Sequence, residues 1–245
     1  MKRKTENPMQ MRINKYIKEC GLASRRQADE IIAAGRVAIN GRVANAGNQV
    51  TENDVVWVDG MECKLPDTKH YVAFYKPVGV TCSKKDEHAE LLLDDVFHYP
   101  FPLTYAGRLD RDSEGLLIMT DDGELIDRMM RARYGHEKEY IVGFKKDLTD
   151  DFLKSFEKGV YLKELETKTR RCKIKKIGPK KAKVVLTEGL NRQIRRMGQA
   201  LGNEVTSIKR VRVVNIVLGD LKPGEYRELS EKELRDLMKS ISPEK

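Results

Sequence analysis

Cysteine is scarce: Cys20, Cys63, Cys82 and Cys172 lie far apart, with no Cys-x-x-Cys and no histidine at metal-ligand spacing. That argues against a structural zinc site, and no metal is expected. Four scattered thiols suit a reducing compartment, so a cytoplasmic protein is expected. No apolar run approaches the length that crosses a bilayer, so no membrane partner is expected. The basic start MKRKTENPMQ has no apolar stretch behind it, which does not fit a secretory signal; residues 1–11 are expected to be a disordered basic tail. A Gly-rich phosphate loop is also missing. Aromatic residues are only 7% of the chain, and the single tryptophan, Trp57, is expected in a core.

Charge is what the chain has in quantity. Charged residues make up 35%, and the net charge is +9. From Lys168 to Arg212 there are 15 Lys/Arg against Glu188 and Glu204 alone. From Lys84 to Glu124 the balance reverses, with 4 Lys/Arg and 11 Asp/Glu. A basic block more positive than the whole chain points to a polyanionic partner. Within it, RRCKIKKIGPKKAK reads as a basic hairpin about Gly178-Pro179, either gripping RNA backbone or forming an edge guarded by lysines.

With 245 residues there is room for a small and a medium domain. Residues 12–60 form one unit. Ile13, Tyr16 and Ile17 share a helical face, and Ser24 with Gln27 makes a capping box for a second helix that stops at Gly35. Asn40-Gly41 joins two short strands, and Val55–Val58 alternates into a third. Arg25 and Arg26 occupy a helix's first turn, where the dipole disfavours cations; together with Lys15 and Lys18 they suit phosphates. Residues 61–69 read as a linker. Beyond it the pattern predicts strands over 71–75, 116–120, 139–144, 171–177, 183–186, 207–218 and 225–229. It predicts helices over 123–131, 149–158, 192–201 and 231–240. That interleaving gives an α+β domain about a mixed, mostly antiparallel sheet.

The richest stretch for chemistry is AGRLDRDSEGLLIMTDDG, residues 106–123. It sets Asp110 between Arg108 and Arg111, ahead of a buried strand. A lone turn aspartate is usually structural. Asp110, Asp112, Asp121, Asp122 and Glu124 are also compatible with a magnesium site, although Asp121-Asp122-Gly123 reads more simply as a helix start. His136, beside Glu137 and Lys138, is either a general base or merely exposed. Tyr140 opens a later strand, and Arg192, Arg195 and Arg196 crowd the start of a helix.

Two resemblances tie these pieces together. Leu22-Ala23-Ser24-Arg25-Arg26 and Gly35-x-Val37-x-Ile39-Asn40-Gly41 resemble the alpha-L RNA-binding motif. Tyr75-Lys76-Pro77-x-Gly79, Gly107-Arg108-Leu109-Asp110, Glu139-Tyr140, Glu188-Gly189-x-Asn191-x-Gln193-Ile194-Arg195-Arg196-Met197 and Leu201-Gly202 resemble, in order and spacing, the pseudouridine synthases that modify ribosomal RNA. The resemblance implies a catalytic domain over residues 70–245. Asp110 would act on the target uridine as nucleophile or base, with Arg195 as its salt-bridge partner. Tyr140 would stack on the base and Ile194 line its pocket. Arg108 would fill the gap the base leaves, and Arg192, Arg196, Arg25, Arg26 and Lys15 would bind RNA. It further implies 23S ribosomal RNA as substrate and no cofactor or metal; nothing in the sequence points to an obligate partner, so a monomer is expected. The same chemistry on 16S RNA or tRNA, and a non-catalytic ribosome-assembly factor, are the competing readings.

Overall fold

The computed structural model describes residues 10–66, 68–83, 89–131 and 135–242. The chain divides into two units, Met1–Lys69 and His70–Lys245. In the first, strand β1 (Gln10–Arg12) leads into helices α1 (Ile13–Glu19) and α2 (Arg25–Ala33), followed by strands β2 (Val37–Ile39), β3 (Arg42–Val43), β4 (Gln49–Thr51), β5 (Val56–Val58) and β6 (Met61–Cys63). β1 pairs with β4, and β3-β2-β5-β6 form an antiparallel sheet. The Ser24 hydroxyl accepts from the Gln27 N–H, and the Gln27 side chain accepts from the Ser24 N–H, closing the capping box. Asn40-Gly41 and Asp59-Gly60 each take two positive φ angles, the geometry that suits a two-residue hairpin. Ile13, Ile17, Ala28, Ile32, Val50 and Val56 fill the core.

Three details here differ from expectation. Gln10 and Met11 belong to a paired strand rather than a tail; the rest of that tail, residues 1–9, lies outside the described residues. The stretch 61–69 begins with β6, because Asp59-Gly60 turns the chain back onto β5. Trp57 is 39% exposed: β5 buries Val56 and Val58, and strand alternation turns Trp57 outward.

The second unit runs β7 (Tyr71–Lys76), α3 (Leu93–Val96), β8 (Thr104–Ala106), β9 (Glu114–Thr120), α4 (Gly123–Met130), β10 (Lys138–Phe144), α5 (Asp150–Glu157), β11 (Tyr161–Leu162), β12 (Thr167–Lys168), β13 (Lys173–Gly178), β14 (Lys181–Leu186), α6 (Gln193–Ala200), β15 (Val205–Val213), β16 (Ile216–Val217), β17 (Tyr226–Glu228) and α7 (Glu231–Ile241). Its main sheet has the order β13-β14-β10-β15-β9-β7-β17, with β8 and β16 added to β9 and β15. The stretch expected as one strand over 207–218 breaks at Val214, whose φ is +53°, into β15 and β16. One core joins Val142, Val184 and Ile208 to Phe152 and Phe156 of α5 and to Ile194 and Met197 of α6. A second joins Ala73, Ile118 and Val213 to Leu125 of α4 and Leu237 of α7. Each fully buried side chain of this size contributes about 1.5–3 kcal/mol.

One strand pairing in the sheet is parallel. β15 meets β9 only through Lys209–Glu114 and Arg210–Gly115. Gly115 has φ +111°, and a Cβ there would fall 2.2 Å from the Arg210 carbonyl oxygen. Only glycine fits so close a seam. The seam joins the two halves of the sheet and sets the Asp110 loop, which precedes β9, beside β10 and β15.

Candidate active site

Two buried cations brace the loop that carries Asp110. Arg210 is 2% exposed; its Nε donates to the Leu116 carbonyl oxygen at 2.7 Å and its Nη1 to the Arg108 carbonyl oxygen at 3.4 Å. Lys76 is wholly buried, and its Nζ donates to the carbonyl oxygens of Pro77 at 2.7 Å and Val80 at 2.8 Å. The Gly79 N–H then donates to the Arg111 carbonyl oxygen at 2.8 Å, tying the two loops together. Burial pulls the Lys76 ammonium down to about 8, against the opposing charges of Cys82, Asp110 and Asp112. Burial and the Arg210 charge likewise hold Lys138 below its usual range.

Asp110, Arg108, Tyr140, Ile194, Arg192 and Arg210 line one cavity of about 300 Å³. The sequence motifs therefore converge, though from separate elements. Asp110 comes from the loop before β9, Tyr140 from β10, and Ile194 from the first turn of α6. Tyr140 is buried against the core, and Arg192 holds the N-cap of α6 at a left-handed φ of +50°.

The arginine network is not the expected one. Arg195 pairs with Asp112, not Asp110. Its Nη2 donates to the Asp112 main-chain oxygen at 2.7 Å and its Nη1 to the Val205 carbonyl oxygen at 3.2 Å, and these two anchors turn it aside. Among the described residues the cation nearest Asp110 is Arg192, with Nη1 4.0 Å from Oδ2. Arg192 also forks onto Asp112, Nη2 to Oδ2 at 2.9 Å and Nη1 to Oδ1 at 3.2 Å. Burial pushes the Asp112 carboxyl up, but the Arg192 hydrogen bond and the Arg195 charge outweigh it and hold it below the usual carboxylate range. Arg196 is engaged elsewhere, with Nη1 3.1 Å from Glu164 and Nε donating to the Asn191 carbonyl oxygen.

Asp121 and Asp122 do not join Asp110. Asp121 accepts from the His70 N–H, and Asp122 caps α4 and accepts from the Tyr71 hydroxyl. Among the described residues no three His, Cys, Asp or Glu side chains converge as metal ligands would. The His136 ring lies 3.2 Å from the Arg128 carbonyl oxygen, and burial lowers its pKa. In the first unit Arg25 and Arg26 are exposed in the first turn of α2, and Lys15 is half-buried on α1. Sequence reasoning missed the roles of Arg210, Lys76 and Asp112. Arg210 and Lys76 lie inside strands, where a cation reads as a solvent-facing residue.

Comparison with known proteins agrees with this architecture. A family model described as RNA pseudouridylate synthase matches residues 70–200, and an S4 domain model matches residues 11–56. A dual-specificity RNA pseudouridine synthase RluF of Salmonella typhi is 43% identical over 234 residues, covering 94% of this chain and 79% of that protein. A ribosomal large subunit pseudouridine synthase B of Bacillus subtilis is 34% identical, covering 92% of this chain and 95% of that protein. A crystal structure of a pseudouridylate synthase superposes with a TM-score of 0.68 at 28% identity, covering 93% of this chain and 99% of that one.

Proposed function

The chain belongs to the RNA pseudouridylate synthase family, and from that premise we propose that it isomerises a specific uridine of 23S ribosomal RNA, with Asp110 as the reacting carboxylate. The observation that carries the assignment is the single cavity shared by Asp110, Tyr140, Ile194, Arg108 and Arg192. The name of the Bacillus subtilis relative, a ribosomal large subunit synthase, supports 23S RNA, while the dual specificity in the name of the Salmonella typhi relative leaves room for a second substrate RNA.

The geometry suggests how the parts work. The target base must leave its stack before the glycosidic bond can be reached, which costs a few kcal/mol. Arg108, beside Asp110, fills the gap. The uracil lies between the Tyr140 ring and the Ile194 side chain. Asp110 acts on the uridine, the N1–C1′ bond breaks, the base turns and C5 bonds to C1′; the C5 proton leaves by way of Tyr140 and N1 takes one up, so the product is an isomer of the substrate. Nothing is oxidised or reduced overall. Arg192, rather than Arg195, is the described cation nearest Asp110 at rest. The N-terminal S4 unit, through Arg25, Arg26 and Lys15, and the basic β13–β14 hairpin hold RNA backbone, while Arg196 orders the loop before α6. A monomer working in the cytoplasm without cofactor or metal completes the reading. The test is pseudouridine mapping of total RNA from cells with and without the protein. Loss of one or a few 23S sites is expected, and an unchanged map contradicts the proposal.

A further inference from the structure

A second cavity shares Arg192 with the cavity that Asp110 lines. It is larger, about 640 Å³, and Lys145, Lys146, Arg192, Arg195, Asn203 and Asp112 line it. Four cations face it against Asp112 and Glu204. The Lys145 ammonium sits 2.8 Å from Glu204 at the rim, with both side chains about two-thirds exposed, so water screens that pair. The Lys146 Nζ rests on the Gly202 carbonyl oxygen at 2.8 Å.

Asp112 is the carboxylate that holds both arginines. It takes the fork of Arg192, and its Oδ2 lies 3.3 Å from Arg195 Nε. That Nε is buried and makes no hydrogen bond, because the carboxylate stands off the line of its N–H. One acid with two oxygens cannot satisfy two guanidinium groups, each with several donors. The Asp112 side chain is itself 45% exposed, so an incoming anion can reach the same place.

We propose that this groove is a phosphodiester site for substrate RNA outside the reacting nucleotide, and that Asp112 occupies its arginines until a backbone phosphate displaces it. The inference rests on the synthase reading of the neighbouring cavity and deepens it. A phosphate supplies more acceptor oxygens than Asp112 and suits a planar arginine fork. Seated on Arg195 and Lys146, it draws Asp112 off the Arg192 fork, and the released guanidinium can close the 4.0 Å gap to Asp110. RNA binding would then complete the charge pairing of Asp110 only when the backbone is seated.

The test uses the full chain and unmodified, transcribed 23S ribosomal RNA. Dissociation constants are measured across a salt series for the wild type, Asp112→Asn and Lys146→Gln. Asp112→Asn is expected to bind several-fold more tightly, with a steeper salt dependence. Lys146→Gln, an exposed change that does not threaten folding, is expected to bind more weakly, with a salt slope shallower by about one. Asp112→Asn binding no tighter than wild type, or Lys146→Gln leaving affinity and slope unchanged, overturns the proposal. Uridine conversion by the wild type is followed on the same RNA. Tight binding without conversion defeats the synthase reading, whereas conversion with flat variant affinities defeats the groove alone.

Discussion

Tyr140 on β10 and Arg210 on β15 are direct cross-strand partners, and Arg210 in turn stands opposite Gly115 on β9. This one row of the sheet sets the Tyr140 ring, the buried Arg210 guanidinium and the start of β9 side by side. Lys76 on β7 ends the row, opposite Gly115. Side chains on three different strands are thus positioned by backbone pairing.

Arg210→Lys tests that row. Lysine keeps the charge but cannot fork to the Leu116 and Arg108 carbonyl oxygens. A loosened Asp110 loop is expected to lower kcat by on the order of 10²-fold while RNA affinity stays near wild type. Gly115→Ala is expected to cost more than about 4 kcal/mol in urea unfolding, since its Cβ meets the Arg210 backbone.

Much of this framework was legible in the sequence, for physical reasons. The capping box at Ser24 and the Asn40-Gly41 turn are local, and local rules found them. Asp110, Tyr140 and Ile194 came from motif order and now share a cavity. The parallel seam at Gly115 was not legible, because strand neighbours separated by 95 positions leave no local mark. Arg210 and Lys76 were hidden because their partners are main-chain oxygens. The Arg195–Asp110 pairing failed because Asp112, two residues away, competes for the same guanidinium.

Lys76 should leave a signature in the pH dependence of stability. Its folded-state pKa of about 8 lies below its ordinary value. The charged form therefore opposes folding below pH 8, and that cost is relieved as pH rises toward the unfolded value. Stability of the wild type is expected to gain between pH 8 and 10.5 relative to Lys76→Met, measured by denaturant titration at each pH. Parallel profiles contradict a buried, strained ammonium.

Glu233 has the opposite sign. The Arg227 hydrogen bond outweighs burial, and with the Ser230 cap it holds the Glu233 carboxyl down to about 2. Its contribution is present above the ordinary carboxylate range and is lost as pH falls toward 2. Glu233→Gln is expected to cost about 2 kcal/mol at neutral pH and little in strong acid. An equal loss at both pH values would separate α7 stability from that charge.

Arg25 and Arg26 bear on the first unit. The double change Arg25→Glu, Arg26→Glu is expected to weaken RNA binding about tenfold or more and to flatten its salt dependence. Unchanged affinity and slope leave both arginines without a phosphate role.

Asp110→Asn tests the central claim most directly, because it keeps size and polarity and removes only the charge. Conversion of uridine in 23S ribosomal RNA is measured for this variant at saturating RNA, with binding followed in parallel. The expected result is no detectable pseudouridine with RNA affinity close to wild type. Pseudouridine formed at the wild-type rate contradicts the account.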